Sequence, residues 1–88
     1  MKFEIDFIPE YCLKKSGYRS HKNGLIREDG GNGRFHAFVT GFNEVDLHYD
    51  KYIKGMHTAT NWSYNLNWER NRIKKITKNL VERMGGNN

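Results

Sequence analysis

Alternation of hydrophobic and polar residues predicts a first β-strand at the start of the chain. Residues 2–8 alternate with a period of two, which places Phe3, Ile5 and Phe7 on one side of that strand. The segment 9–17 that follows fits either a short helix or an extended edge strand. A helix is favoured, because its proline suits a first turn and its terminal glycine suits a helix end.

Turn residues divide the next part of the chain into strands. Asn23-Gly24 is typical of a two-residue hairpin turn, because both residues tolerate a positive φ, and it predicts that residues 18–22 pair with residues 25–28. The glycine-rich run 29–33 then interrupts the pattern. It lacks the lysine and hydroxyl ending of a phosphate-binding loop, so we interpret it as a turn.

Two alternating segments, 34–40 and 44–50, predict a second hairpin of defined register. Their hydrophobic residues share one face only if residue 40 pairs with residue 44, which leaves a three-residue loop with Asn43 in the left-handed conformation. The hydrophobic face then consists of Phe35, Ala37, Val39, Val45, Leu47 and Tyr49. On the opposite face the directly paired residues are Arg34 and Asp50, His36 and His48, Phe38 and Asp46, and Thr40 and Glu44.

A long helix is predicted after a strand end and connection over 51–61. Its start is open, because several neighbouring residues can cap a helix: Thr58, Thr60, Asn61 and Ser63. The hydrophobic residues of its body form one stripe that is expected to pack on the sheet: Trp62, Leu66, Ile73, Ile76, Leu80 and Met84. Glu69 lies inside this stripe, which requires a frayed helix end, a basic partner such as Arg72, or a functional role. The first two explanations are favoured.

These elements together predict an α+β fold, with a mostly antiparallel sheet of about four to five strands and the long C-terminal helix on one face. Eighty-eight residues can bury one modest core, so residues 1–84 are expected to form a single domain and residues 85–88 a disordered tail. The hydrophobic fraction of 36% is low, but an aromatic fraction of 14% is typical of a folded chain.

Apolar runs in the sequence are too short to cross a bilayer, and the first residues lack the apolar core of a signal peptide. The single cysteine, Cys12, cannot form an internal disulfide, which agrees with a reducing compartment. We therefore expect a soluble, cytoplasmic protein with no membrane partner and no small-molecule cofactor.

Charge is distributed unevenly along the chain. The formal net charge is +5, yet residues 1–69 hold nine basic and nine acidic residues, so the excess lies in residues 70–83, with six basic residues and one Glu. Clustered cations on one helix are typical of proteins that bind a polyanion, although a solvated helix face explains them equally well.

The outer face of the predicted helix combines Trp68 with these cations. Aromatic rings among Lys and Arg can stack on unpaired bases while the cations hold phosphates. Alternatively, Trp68 covers a neighbouring loop, stacks with Arg72, or docks a protein. The leading hypothesis is non-catalytic binding of RNA, single-stranded DNA or a nucleic-acid-processing protein through Trp68, Arg72, Lys74, Lys75 and Lys78. About five phosphate contacts would give a salt slope near −3.5 at about 0.7 per contact.

The polar sheet face supports other hypotheses. Histidines beside carboxylates, with an arginine to hold a phosphate, suit a small toxin-like ribonuclease that uses His36, His48, Asp46, Asp50 and Arg34. The spacing also permits a metal ion but is unspecific, so no metal site is assigned. Ordinary cross-strand pairing is the simplest explanation. A further alternative is a stoichiometric inhibitor of a nucleic-acid enzyme, of the kind that phages and mobile elements encode, in which the acidic stretch 44–50 mimics phosphate.

Overall fold

The computed structural model describes residues 1–59 and 63–86 and confirms the α+β fold. Within these residues one antiparallel sheet holds six strands. They are β1 (Lys2–Glu4), β2 (Arg19–His21), β3 (Gly24–Asp29), β4 (Gly33–Thr40), β5 (Glu44–Ile53) and β6 (Met56–Ala59). The helices are α1 (Pro9–Lys15) and α2 (Ser63–Val81), and both contribute buried residues to the core on one side of the sheet.

The sheet order is β1-β5-β4-β3-β2, and β6 also pairs with β5. The first strand is shorter than predicted, because Glu4 already pairs with Glu44, the first residue of β5. Burial nevertheless continues to alternate: Ile5 is buried and Phe7 is half-buried. The predicted helix over 9–17 is confirmed as α1, with Gly17 at a positive φ of 101° just after it.

The β4–β5 hairpin has the predicted register, with Thr40 opposite Glu44. The left-handed position in its loop belongs to Gly41 (φ 64°) and not to Asn43, because glycine takes that conformation at the lowest cost. The expected hydrophobic face is buried except for Val39, which is 40% exposed. Val39 lies near the hairpin end, where it borders a cavity open to solvent.

The β2–β3 turn differs from the prediction. His21 pairs with Gly24, so Lys22 and Asn23 form the turn, and Lys22 takes the positive φ of 52°. Gly24 lies inside the strand, where a Cβ atom would stand 2.6 Å from the carbonyl oxygen of Ala37 and 3.0 Å from the ring of Phe38. This glycine therefore serves a close approach between strands and not the turn.

The glycine-rich run after β3 is a turn, as predicted. Gly30 has a positive φ of 58°, and the Asn32 amide donates a hydrogen bond of 3.1 Å to the Asp29 carbonyl. The last glycine of the run, Gly33, belongs to β4, where a Cβ atom would stand 2.8 Å from the Tyr49 hydroxyl. Tyr49 donates a 2.8 Å hydrogen bond to Asp29, which fastens the turn to the neighbouring strand.

The predicted connection over 51–61 contains a strand that the sequence pattern missed. β5 continues to Ile53, and Lys54 and Gly55 form a tight turn, both at positive φ (51° and 79°), that leads into β6. Thr58 lies in β6 and is not a helix cap. Thr60, Asn61 and Trp62 lie outside the described residues.

The buried line of α2 follows most of the predicted stripe. Leu66 and Ile73 are buried, and Ile76 and Leu80 are half-buried. Met84 is 58% exposed, because it has left the helical conformation in a final turn over Glu82–Gly86. The predicted tail 85–88 begins within that turn, and Asn87 and Asn88 lie outside the described residues.

Candidate nucleic-acid interface

A buried carboxylate fixes the orientation of α2. Glu69 has no exposed surface, and it accepts hydrogen bonds from Tyr18 (2.6 Å), from Arg27 (2.7 and 2.8 Å) and from Arg72 (2.9 and 3.0 Å). Arg72 also donates a 2.6 Å hydrogen bond to the carbonyl oxygen of Ser16, just after α1. Of the explanations for Glu69 in the hydrophobic stripe, the basic partner is therefore confirmed, and a second arginine and a tyrosine join it.

Electrostatics keep this cluster in one protonation state. Burial alone would raise the pKa of Glu69, but the hydrogen bonds from Arg72, Arg27 and Tyr18 outweigh it and lower that pKa below its usual value of 4.5. Burial, together with the adjacent Glu69 carboxylate, raises the pKa of Tyr18 far above its usual value. At neutral pH the carboxylate is thus ionised and the phenol protonated, as the hydrogen bonds require.

The cluster engages Arg72, which belongs to the predicted interface. Its side chain is 26% exposed, and its guanidinium group is bound to Glu69 and Ser16. The helical wheel places Arg72 at the border of the outer face, but an ionised partner one turn away and inside the core draws the long side chain inward. Within the described residues the cation–π pairs are Lys15 with Tyr11 and Arg27 with Phe35, so the predicted stacking of Arg72 on Trp68 is not formed.

The outer face of α2 keeps the other predicted residues together. Trp68 is 57% exposed, and Lys74, Lys75 and Lys78 are exposed on the same helix. In the part of the chain that the structure describes, none of these three lysines forms an ion pair. Among the described residues, no carboxylate therefore lies within ion-pair distance of their ammonium groups.

Sequence reasoning missed a second aromatic residue on this face. Tyr64 is 81% exposed and precedes Trp68 by one helical turn. Its i, i+4 spacing from Trp68 was the available indication. Both residues border a small cavity of about 150 Å³ that Asp29 and Phe35 also line, so Trp68 lies near the β3–β4 turn although more than half of its surface is exposed.

The polar face of the sheet brings together all five residues predicted for a ribonuclease. Arg34 lies opposite Asp50, with 3.5 Å between guanidinium Nε and carboxylate oxygen. His48 Nε2 lies 3.3 Å from an Asp46 oxygen, and His36 Nδ1 lies 3.9 Å from an Asp50 oxygen. Within the described part of the chain, α1 and α2 both contribute to the core on the other side of the sheet, so neither helix covers this face.

The two facing histidines lie beside the same aromatic ring. The ring of Phe38 neighbours both, with ring centroids 4.6 Å from His36 and 5.9 Å from His48. Burial lowers the pKa of His36, which favours its neutral form. Within the described residues no group of three histidine, cysteine, aspartate or glutamate side chains is arranged to hold a metal ion.

The acidic stretch of β5 is largely engaged inside the molecule. Glu44 accepts a 2.9 Å hydrogen bond from Thr40, and Asp46 lies 3.5 Å from the amino group of Met1 as well as next to His48. These contacts place counter-charges or donors beside carboxylates that the inhibitor hypothesis requires to act as a phosphate mimic. The carboxylates of the sheet face are thus engaged within the molecule, whereas Arg34 Nε and His36 Nε2 are buried and form no hydrogen bond within the described residues.

Comparisons of the chain with protein-family models, with curated proteins and with solved structures gave no match. Among the residues that the structure describes, neither helix is both long and apolar enough to cross a membrane. Function is therefore inferred from the chemistry of the surfaces described above.

Proposed function

We propose that the protein binds single-stranded nucleic acid, without catalysis, through the outer face of α2. This face is defined by Tyr64, Trp68, Lys74, Lys75 and Lys78. The observation that carries the proposal is that two exposed aromatic rings share one helix face with three ammonium groups, and that those groups have no ion-pair partner within the described residues.

The two kinds of side chain complement an unpaired strand. An exposed indole or phenol ring offers a surface on which an unpaired base can stack, and such stacking does not depend on the base sequence. Lysines bind phosphates as point charges and release condensed counterions. In a duplex the base faces are occupied by stacking on each other, so the aromatic residues favour a single strand.

The dimensions of the face suit a short stretch of strand. Tyr64 and Lys78 are fourteen positions apart in the sequence. At about 1.5 Å per residue this corresponds to roughly 21 Å along the helix. A stacked strand advances about 3.4 Å per nucleotide, so roughly six nucleotides span the face.

The test is fluorescence anisotropy of a labelled single-stranded oligonucleotide, somewhat longer than this span, across a salt series. Three lysine contacts predict that log K falls with log salt with a slope of about −2, at roughly 0.7 per contact. This is shallower than the slope for five contacts, because Arg72 is bound to Glu69 and the uncharged Trp68 holds no phosphate, which leaves three lysines of the five predicted residues. A flat salt dependence, or tighter binding of a matched duplex, would overturn the proposal.

A charge-matched control distinguishes binding through the outer face of α2 from attraction by the net charge of the protein. One variant replaces Lys74, Lys75 and Lys78 with Gln, and the control replaces Lys14, Lys15 and Lys22, on α1 and the β2–β3 turn, with Gln. Both lose the same net charge. The first is expected to lose its salt slope and most of its affinity, while the control keeps both. Equal losses would mean that net charge, and not this face, attracts the strand.

The same incubation distinguishes binding from cleavage. Under the proposal, RNA recovered after binding is intact. Cleavage that His48→Ala abolishes in a folded variant would instead support the ribonuclease hypothesis for the sheet face.

A further inference from the structure

A groove lies between the residues that follow β1 and the C-terminal half of α2. Its volume is about 300 Å³, at the lower end of the range for small-molecule sites. Ile5 and Val81 give it apolar walls. Thr77 also lines the groove and is 7% exposed.

The hydroxyl of Thr77 has no partner. Its Oγ1 atom is buried and forms no hydrogen bond within the described residues. Buried polar groups in folded proteins are nearly always hydrogen-bonded, so an orphaned hydroxyl on the lining of a groove indicates a position where a bound group can complete its hydrogen bonds. This observation is independent of the charges around the groove.

Charges of both signs surround the groove. Lys74 and Lys78 lie on one side of the lining, and these two lysines also belong to the outer face of α2. The carboxylates of Glu4, Asp6 and Glu82 also line it. A ligand that fits therefore presents hydrogen-bond donors to carboxylates, a negative charge to lysines, and a flat apolar surface to Ile5 and Val81.

We infer that the groove binds one unpaired nucleobase that carries an exocyclic amino group, such as cytosine, within a strand held on the outer face of α2. The inference rests on the proposed function and specifies its substrate. Carboxylates accept hydrogen bonds from the amino group of cytosine, whereas uracil presents a carbonyl oxygen at the same position and is repelled. Lys74 and Lys78 hold the flanking phosphates, and the Thr77 hydroxyl meets a polar atom of the base.

The test compares two oligonucleotides of equal length, oligocytidine and oligouridine, by fluorescence anisotropy at one salt concentration. These pyrimidines differ at the position that the carboxylates contact. Oligocytidine is expected to bind about tenfold more tightly, a ratio typical of one well-formed base contact. Equal affinities would overturn the inference.

Two variants test whether the preference for oligocytidine over oligouridine arises in the groove. Thr77→Val removes the hydroxyl and keeps the side-chain volume, and Asp6→Asn changes an exposed residue whose replacement leaves the core intact. Each is expected to reduce the ratio of the two affinities severalfold. Thr77→Val does so by weakening oligocytidine binding, and Asp6→Asn also does so by relieving the repulsion of uracil, which tightens oligouridine binding. Glu10→Gln, an exposed acid on α1, is the matched control and keeps the ratio. If Asp6→Asn leaves the ratio intact in a folded protein, the inference fails.

The two proposals fail in different ways. If neither oligonucleotide binds, the proposed function is wrong and the groove has no strand to act on. If both bind with the same affinity and the same salt slope, the outer face binds a strand and only the base site is wrong.

Discussion

The two sides of α2 carry the same kinds of charged residue in opposite situations. On the inner side, Glu69 and Arg72 are hydrogen-bonded to each other and to groups from β3 and from the segment after α1. On the outer side, three lysines form no ion pair within the described residues: Lys74, Lys75 and Lys78. A count of basic residues therefore does not define an interface, because a cation that is already bound to a carboxylate within the fold, such as Arg72, orients the helix and is less available to a ligand.

Removal of the inner carboxylate is expected to have the largest effect on stability. Glu69→Ala leaves Arg27 and Arg72 partly buried without a counter-charge, so it is expected to lower the free energy of unfolding by about 3–5 kcal/mol. Urea denaturation measures the loss. Glu10→Ala, which breaks an exposed pair with Lys14, is the control and is expected to cost less than about 1 kcal/mol. Similar losses in both variants would contradict a buried anchor.

Lowering the pH is expected to reduce the free energy of unfolding, because Glu69 stabilises the fold only while it is ionised. The pKa of Glu69 is lower in the folded state than its usual value of 4.5, so its contribution is fully present above that value. The contribution is lost as the pH falls through the lowered folded-state pKa. Urea denaturation at a series of acidic pH values should show this loss in the wild type and a smaller loss in Glu69→Gln. Identical pH profiles would show that other carboxylates cause the effect.

Replacement of Arg72 tests whether a cation on the inner side of α2 stabilises the fold without contacting the oligonucleotide. Arg72→Gln removes hydrogen bonds to a charged partner, and it is expected to cost about 1.5–3 kcal/mol of stability. Its salt slope for oligonucleotide binding should equal that of the wild type. A decrease of about 0.7 in the slope, as expected for a lost phosphate contact, would return Arg72 to the interface.

The smallest expected effect concerns the exposed indole. Trp68→Ala is expected to weaken oligonucleotide binding by about 1–3 kcal/mol, the range for one stacked base. Phe42→Ala is the matched control, because Phe42 is 96% exposed in the β4–β5 loop and lies outside the outer face of α2. Equal losses of affinity would indicate unspecific contact with any exposed ring.

Local patterns predicted the register of the β4–β5 hairpin because two alternating sequences can share a hydrophobic face in one way only. The same patterns failed at Gly24, since a glycine that permits close approach looks in sequence like a glycine that permits a turn. They missed β6 because Lys54 adopts a positive φ that lysine rarely takes.

Long-range partners were beyond sequence reasoning. A basic partner for Glu69 could be predicted from Arg72, three residues away, but not from Arg27 or Tyr18, which are 42 and 51 residues distant in the sequence. The groove around Thr77 was missed for the same reason, because residues from opposite ends of the chain form it. Exposure of Trp68 was predictable, since the helical period alone places it away from the core.

The position of Glu69 late in the chain has a consequence for synthesis. Tyr18 and Arg27 leave the ribosome long before the carboxylate that binds them, and the hydrophobic side of the sheet is likewise completed before the helix that covers it. A nascent chain therefore exposes the apolar side of the sheet, and its Tyr18 and Arg27 side chains still lack the carboxylate that they bind. Docking of α2 covers the apolar side of the sheet and supplies this carboxylate in one step. Translation products that lack α2 are therefore expected to be targets for chaperones and proteases.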